Sequence, residues 1–274
     1  MSRIAYDPVK DRMAAVIRNN RFLRTLFYKL LDLFFLRSWY IRMLLRRYAP
    51  ERSGPSKWSL LDAGCGFGQY DRFVLRQFSN VEITAVDVKD DYLDDCRHYF
   101  ARDIKQGTIH FEKADLLSLD LENAFDRVIC IDVLEHIEED VQVMQNIFRA
   151  LKPGGYFIMH SPSVFSEEDA DGEESFVDEH ARTGYSREDL NRKLQQAELS
   201  PVETAYTYGR KGHLAWQLII KYPMLWMNKI KLWALPVMAV YYIFTLPVSL
   251  ILMWLDMKDK NTNGTGIYAV AQKK

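Results

Sequence analysis

"LLDAGCGFGQY", Leu60–Tyr70, is the stretch that decides how this chain is read. An apolar run that opens into Gly64, Gly66 and Gly68 is a strand entering a tight turn, with a helix to follow. Glycines at such a turn let the backbone approach a ligand closely, and the first turn of the helix offers N–H groups that have no partner within it. A nicotinamide fingerprint requires G-x-G-x-x-G; here Gly68 comes one residue early and Gln69 stands where the third glycine belongs. The turn therefore points to a nucleotide-like ligand but speaks against a nicotinamide oxidoreductase.

On either side of this turn, short apolar runs alternate with amphipathic stretches, the pattern of a parallel sheet wrapped by helices. Strands are expected near residues 58–62, 82–87, 108–112, 126–132 and 155–161, with helices near 69–78, 91–102 and 139–151. "LKPGG" stops the last of these helices at Pro153 and turns the chain into the next strand. "ITAVD" ends the second strand on Asp87, followed by Val88, where a carboxylate can accept hydrogen bonds from both hydroxyls of a ribose. "KADL" sets Asp115 and Leu116 after the third strand, and "FDRVICIDVLEHIEED" sets Asp132 at the end of the fourth. Taken singly, each is weak: Asp87 alone reads as a helix cap, and any doubly wound fold needs glycine turns. Their order and spacing together carry the reading.

These motifs resemble the class I S-adenosylmethionine-dependent methyltransferases over roughly residues 58–209 plus the last strand. "HARTGYSREDLNRKLQQAEL" and "LKPGGYFIMHSPS" likewise resemble the later elements of quinone-type and related small-molecule members. The resemblance implies a doubly wound, seven-stranded, mostly parallel sheet with S-adenosyl-L-methionine as cofactor. It assigns Asp62, Gly64, Cys65, Gly66 and Gly68 to the methionine part, Asp87 and Val88 to the ribose, Asp115 and Leu116 to the adenine, and Asp132 to the end of the fourth strand. Other users of the fold, such as aminopropyl transferases, and a non-catalytic membrane adaptor that keeps only the cofactor site are the alternatives.

Methyl transfer from a sulfonium is an in-line displacement with an activated leaving group, so alignment and exclusion of water matter more than a strong catalytic set. An oxygen acceptor benefits from a base, and by position the candidates are His136, His160, His180 and Tyr185. The pair Glu135 and His136 reads equally well as the start of a solvated helix. No carboxylate cluster resembles a metal site, so no metal is expected. The acidic run "SEEDADGEESFVDEH", Ser166–His180, reads as a solvated loop at the ligand end of the sheet, with a mobile lid as the alternative.

The flanks carry a different signal. The formal charge of −1 hides a balance of +8 over residues 1–50, −16 over 51–209 and +7 over 210–274. Basic segments rich in Phe, Leu, Trp and Tyr suit an anionic membrane surface better than nucleic acid, where apolar side chains would be wasted. On a helical wheel of residues 18–35, Arg18, Arg21, Arg24, Lys29 and Asp32 share one arc opposite Phe22, Leu23, Leu26, Phe27, Leu30, Leu31, Leu33 and Phe34. This is an amphipathic helix with a basic face, suited to a membrane interface or to packing over the domain. Three cysteines without a C-x-x-C pair signal neither a disulfide framework nor zinc, and the chain opens with no signal-peptide pattern, so a cytoplasmic, membrane-peripheral protein is expected.

Near the other end, "LWALPVMAVYYIFTLPVSLILMWL", Leu232–Leu255, has no charged side chain and is long enough to cross a bilayer as a helix. It lies between "SPVETAYTYG" and "GTGIYAVAQK", which read as sixth and seventh strands, antiparallel neighbours in the family pattern. Both ends of the insertion then return to the same sheet, which excludes a single crossing. Pro236 and Pro247 are expected to break the run. The expected organisation is basic N-terminal helices over 1–50, a cofactor-binding core over 51–209, an apolar helical insertion over 210–263 and the last strand over 264–274. A hydrophobic small-molecule acceptor, lipid-like or quinone-like, follows from the greasy flanks, with a homodimer interface as the other use of the same apolar length.

Overall fold

The structure is a computed structural model that describes residues 20–50, 57–169, 181–230 and 234–274. Seven strands, β1 (Trp58–Ala63), β2 (Val81–Asp87), β3 (Ile109–Lys113), β4 (Phe125–Ile131), β5 (Leu151–Pro162), β6 (Ser200–Thr207) and β7 (Gly266–Gln272), form one sheet in the order β3-β2-β1-β4-β5-β7-β6. β7 runs antiparallel to both neighbours, while the pairs among β1 to β5 are parallel. The doubly wound, mostly parallel sheet expected from the sequence is thus present. Successive residues of a strand feed opposite faces: Leu60, Ile129 and Ile158 belong to one core, and Leu61, Val128 and Phe157 to the other.

Helix α1 (Arg21–Phe34) and α2 (Leu36–Arg47) precede the sheet. α3 (Gln69–Gln77), α4 (Asp90–Tyr99) and the short α5 (Ala101–Lys105) join β1 to β2 and β2 to β3. α6 (Asp140–Ala150) joins β4 to β5, and α7 (Arg187–Gln196) precedes β6. β5 starts earlier than the "LKPGG" turn suggests, because Leu151 already pairs with Phe125 before an irregularity that shifts the register by the time Arg127 pairs with Tyr156.

The orientation of α1 differs from the amphipathic reading. Asn20 caps it, its side chain accepting from the N–H groups of Phe22 and Leu23. Its polar arc is split: Arg24 is buried and Asp32 is drawn between Arg42 and Arg72, while Arg21 and Lys29 are exposed and Arg18 lies outside the described residues. Phe22 is 74% exposed, and Leu26 and Leu30 are exposed with it. The buried side of the helix, Arg24 and Tyr28, cuts across the two faces of the wheel, because a wheel cannot say which direction meets the protein. Arg24 is tolerated inside because hydrogen bonds receive its guanidinium.

Between β6 and β7 lie α8 (Arg210–Trp216), a π-helical turn (Gln217–Lys221), α9 (Tyr222–Ile230) and α10 (Ala234–Asp256). α10 is continuous over 23 residues, contrary to the expected break. Pro236 sits in its first turn, where a missing N–H has no consequence, and only Pro247 removes an interior bond. Val237–Asp256 is long and apolar enough to cross a membrane, yet only 11% of its most apolar window is buried against the protein. Its end is pinned, since buried Asp256 accepts from Tyr40 Oη at 2.8 Å and from the Gly212 N–H at 3.0 Å.

Candidate active site

The glycine turn is built from backbone conformations that side chains avoid. Gly64, Gly66 and Gly68 have φ of +88°, +51° and +71°. A Cβ on Gly64 would stand 2.4 Å from Val133, and one on Gly68 would stand 2.8 Å from Phe100, so both are packed against the protein. A Cβ on Gly66 would meet nothing within 4 Å: this is the open side of the turn. The Gly66 N–H donates to Asp87 Oδ2 at 2.9 Å and the Lys89 N–H to Asp87 Oδ1 at 3.0 Å, which fixes the carboxylate at the tip of β2 with lone pairs to spare. Val88 beside it is 55% exposed, an apolar side chain left uncovered next to a held carboxylate.

Beneath the turn lies a pair of carboxyls. Asp62, at the end of β1, and Asp71, in the first turn of α3, are buried, and Asp62 Oδ2 with both Asp71 oxygens has no conventional donor among the described residues. They interact with each other, and burial, reinforced for Asp62 by Asp71, holds both well above the usual carboxylate range. Buried carboxyls without a cation share a proton, or wait for a cation. S-adenosylmethionine carries a sulfonium and an ammonium on the part assigned to this turn, so the orphaned oxygens and the open Gly66 face fit that group. Asp115 spends its carboxylate on capping the 3₁₀ turn Leu116–Ser118, accepting from the Leu117 N–H at 2.9 Å. Leu116 is buried, and Leu117 is the exposed apolar side chain there. Cys65 is buried too, so its contribution at the turn is backbone.

Beyond the ends of β4 and β5, Asp132 adopts φ +53°, which aspartate tolerates better than most residues. His160 Nδ1 stands 2.6 Å from Asp132 Oδ1, and His160 Nε2 stands 3.1 Å from the Thr207 hydroxyl. Arg37, in the first turn of α2, pairs with the other Asp132 oxygen. Burial, with the Arg37 guanidinium nearby, pushes the imidazole well below its usual range, so the ring is neutral near pH 7. The network sets the tautomer: Nδ1–H donates to Asp132, and Nε2 accepts from Thr207. A cleft of about 280 Å³ opens over this group, lined by Asp132, His160, Tyr208 and Gly266 below and by Phe35 and Trp216 at its sides. Phe35 comes from the α1–α2 joint and Trp216 from the insertion, so both flanks of the chain meet at one cleft.

Of the candidate bases among the described residues, the structure brings His160 to Asp132 and does not bring His136 or Tyr185 there. His136 is exposed on the 3₁₀ turn Leu134–His136. Tyr185 is fully buried and donates to Asp140 Oδ2 at 2.6 Å, and burial with that carboxylate raises its hydroxyl far above the usual range. His180 lies outside the described residues. The sequence reading did not single out Arg37, Thr207 or Asp71, and its solvated-helix reading does not hold for Glu135, which is buried: its Oε2 accepts from Ser161 at 2.9 Å and burial pushes its carboxyl up to about 7. Nothing in the local sequence of Arg37, Thr207 and Asp71 marks them, because partners up to 95 residues away in the chain, as Asp132 is from Arg37, make the site.

The Methyltransferase domain family matches residues 61–159. Sterol 24-C-methyltransferase erg-4 of Neurospora crassa is 35% identical over 99 residues, 36% of this chain and 26% of that protein; the chain thus covers about a quarter of the length of that relative. Among solved structures, the [4+2]-cyclase SpnF superposes with a TM-score of 0.58 at 19% identity, over 85% of this chain and 81% of that one. A geranyl diphosphate methyltransferase bound to its substrate and sinefungin superposes with a TM-score of 0.55 at 14% identity, over 86% and 77%. These structural likenesses speak to the fold alone. The matched segment is the one that carries the glycine turn, Asp87 and Asp132, with His160 one residue beyond it, and over that segment the chain resembles the class I S-adenosylmethionine-dependent methyltransferases.

Proposed function

We propose that this protein transfers the methyl group of S-adenosylmethionine to a hydrophobic, lipid-like acceptor at the cytoplasmic surface of a membrane. The observation that carries the reading is the cleft over His160, whose side walls, Phe35 and Trp216, come from the two apolar flanks. An acceptor entering there passes along greasy side chains, and each CH₂ kept out of water is worth about 0.8 kcal/mol. The sterol methyltransferase relative and the geranyl diphosphate methyltransferase neighbour have names that agree with such an acceptor.

S-adenosylmethionine supplies a methyl group already activated by its sulfonium. The chain's own residues do the rest. Asp62 and Asp71 offer negative charge under the glycine turn, and Asp87 holds the ribose hydroxyls. At the cleft, His160 Nε2 exchanges its hydrogen bond from the Thr207 hydroxyl for one from an acceptor hydroxyl and takes that proton, while Asp132 holds Nδ1–H and stabilises the imidazolium that forms. Arg37 fixes Asp132 in place.

Peripheral attachment is favoured over a crossing because β6 and β7 are adjacent strands, and a single span between them would leave β7 across the bilayer from its sheet. Val240, Ile243, Phe244 and Ile251 of α10 face outward, where they suit one leaflet. The test uses the full chain, tritium-labelled S-adenosylmethionine and a total lipid extract in detergent micelles. Label is expected in the organic phase, and it should vanish with His160→Ala. Cofactor that binds but never turns over would leave the non-catalytic adaptor as the correct reading. Replacing Ile243 and Phe244 by Ser should reduce vesicle binding while cofactor binding holds; unchanged vesicle binding with loss of a dimer would make α10 an interface between copies.

A further inference from the structure

A second, larger cleft of about 480 Å³ lies away from the active site, between α1, α2 and α3. Four cations line it, Lys29, Arg42, Arg72 and Arg76, around one carboxylate, Asp32. That carboxylate is shared: it stands 3.6 Å from Arg42 and 3.8 Å from Arg72, and it accepts from Gln69 Nε2 at 3.0 Å. The Nε atoms of Arg42 and Arg72 are buried with no hydrogen-bond partner among the described residues. Arg72 is itself buried, its guanidinium over the Tyr28 ring, and Arg42 lies over Phe73. Aromatic contacts hold the two planes, yet N–H donors stay unspent. Arg72 is buried and Arg42 half-buried against one shared carboxylate, with Lys29 and Arg76 exposed beside them; withdrawing guanidinium donors from water is unfavourable unless a further anion completes the set, and planar guanidinium donors suit phosphate oxygens.

What surrounds the cleft narrows the anion. At 100° per residue, Phe22, Leu26, Lys29, Leu30 and Leu33 fall within an arc of about 100° on α1. Lys29 and Leu33 of that arc line the cleft, and Phe22, Leu26 and Leu30 are exposed apolar residues of the same helix. A basic cleft opening onto an apolar ridge is complementary to a charged head joined to apolar chains.

We propose that this cleft binds the phosphate of an anionic phospholipid, with the apolar ridge of α1 against its acyl region. The proposal rests on the membrane-surface part of the proposed function and is independent of which acceptor is methylated. It gives the basic N-terminal flank a specific task, in place of diffuse attraction.

The test compares two double variants of the full chain with equal loss of charge: Lys29→Gln with Arg76→Gln at the cleft, and Arg102→Gln with Lys105→Gln on α5, remote from it. Exposed side chains are chosen so that the fold survives, which thermal melting by circular dichroism checks; Arg72→Lys is the second cleft variant, keeping charge while losing the fork. Sedimentation with phosphatidylcholine vesicles, with and without phosphatidylglycerol, reads the result. The cleft pair should lose about thirtyfold in binding to the anionic vesicles, the effect of two basic contacts near a charged surface, and Arg72→Lys should lose about fivefold. Equal losses from the cleft pair and the α5 pair would overturn the proposal, because attraction would then be diffuse. So would calorimetric binding of glycerol 3-phosphate that the cleft pair abolishes while its vesicle binding is unchanged, which would make this a site for a soluble phosphate. Label transfer in detergent micelles should be unchanged in the cleft pair; its absence in the unmodified protein counts against the proposed reaction and leaves the cleft to be judged by the vesicles.

Discussion

Arg24 and Phe67 are 43 residues apart in sequence, and an Arg24 guanidinium N–H donates to the Phe67 carbonyl at 3.1 Å, in the middle of the glycine turn. Tyr28, one helical turn further along α1, donates to the same carbonyl, and Arg24 Nε donates to Tyr28 Oη at 2.9 Å. Helix α1 is therefore a strap fastened to the cofactor turn by two buried side chains.

Cutting that strap should be felt at the cofactor. Arg24→Ala leaves the Phe67 carbonyl with one donor fewer and removes a charged hydrogen bond of about 1.5–3 kcal/mol. Isothermal calorimetry is expected to show S-adenosylhomocysteine binding weakened by about tenfold or more, with Tyr28→Phe showing a smaller loss. Affinity unchanged in both would mean that α1 only covers the turn.

The glycines of the turn should fail in different ways. Gly64→Ala forces a Cβ to 2.4 Å from Val133 at φ +88°, so loss of stability by about 2 kcal/mol or more is expected in a denaturant melt. Gly66→Ala meets no protein atom and carries only the strain of φ +51°, about 1 kcal/mol. It should fold and yet lose cofactor affinity, because its methyl group occupies the open face. A Gly66→Ala protein that binds normally would place the cofactor elsewhere.

Cofactor affinity should also depend on pH through Asp62 and Asp71. Burial holds the pair protonated in the free protein, so a cationic cofactor that prefers carboxylate must displace a proton. Raising pH then strengthens binding. Calorimetry in buffers of different ionisation enthalpy should report proton release on binding S-adenosylmethionine, and Asp71→Asn should reduce that release.

His160 is an imidazole kept neutral by its surroundings. Since its pKa is lowered, the ring stays unprotonated as pH falls through the ordinary imidazole range, and the rate for an oxygen acceptor should show no loss near pH 6.5 from this group. His160→Ala should lower turnover by about 10²–10⁴-fold with cofactor affinity retained.

Glu135 should tilt stability in the opposite direction from an ordinary ion-paired acid. In the folded protein burial pushes this carboxyl from its ordinary 4.5 up to about 7, so the folded state binds the proton more tightly than the unfolded chain. The stabilisation is full below pH 4.5 and is lost as pH rises toward 7, by about 3 kcal/mol. Denaturant melts across that window should show a shallower pH dependence for Glu135→Gln.

The sequence by itself determined the sheet, because strand and helix periods and the glycine turn are local signals carried by consecutive residues. Asp87 and Asp132 were legible for the same reason, each lying at the end of an apolar strand, and so was the return of both ends of the insertion to one sheet edge. Only tertiary structure decided which face of α1 turns inward: a wheel has no inside, and Arg24 is buried because the Phe67 carbonyl waits for it. Only tertiary structure set His160, and neither His136 nor Tyr185, beside Asp132, since Asp132 and Thr207 reach the ring and Arg37 reaches Asp132 from three other parts of the chain. The same holds for α10, where Pro247 is tolerated inside a continuous helix that the local rule would have broken. Periodicity is written along the chain, whereas burial, partners and pKa are set by what folding brings alongside.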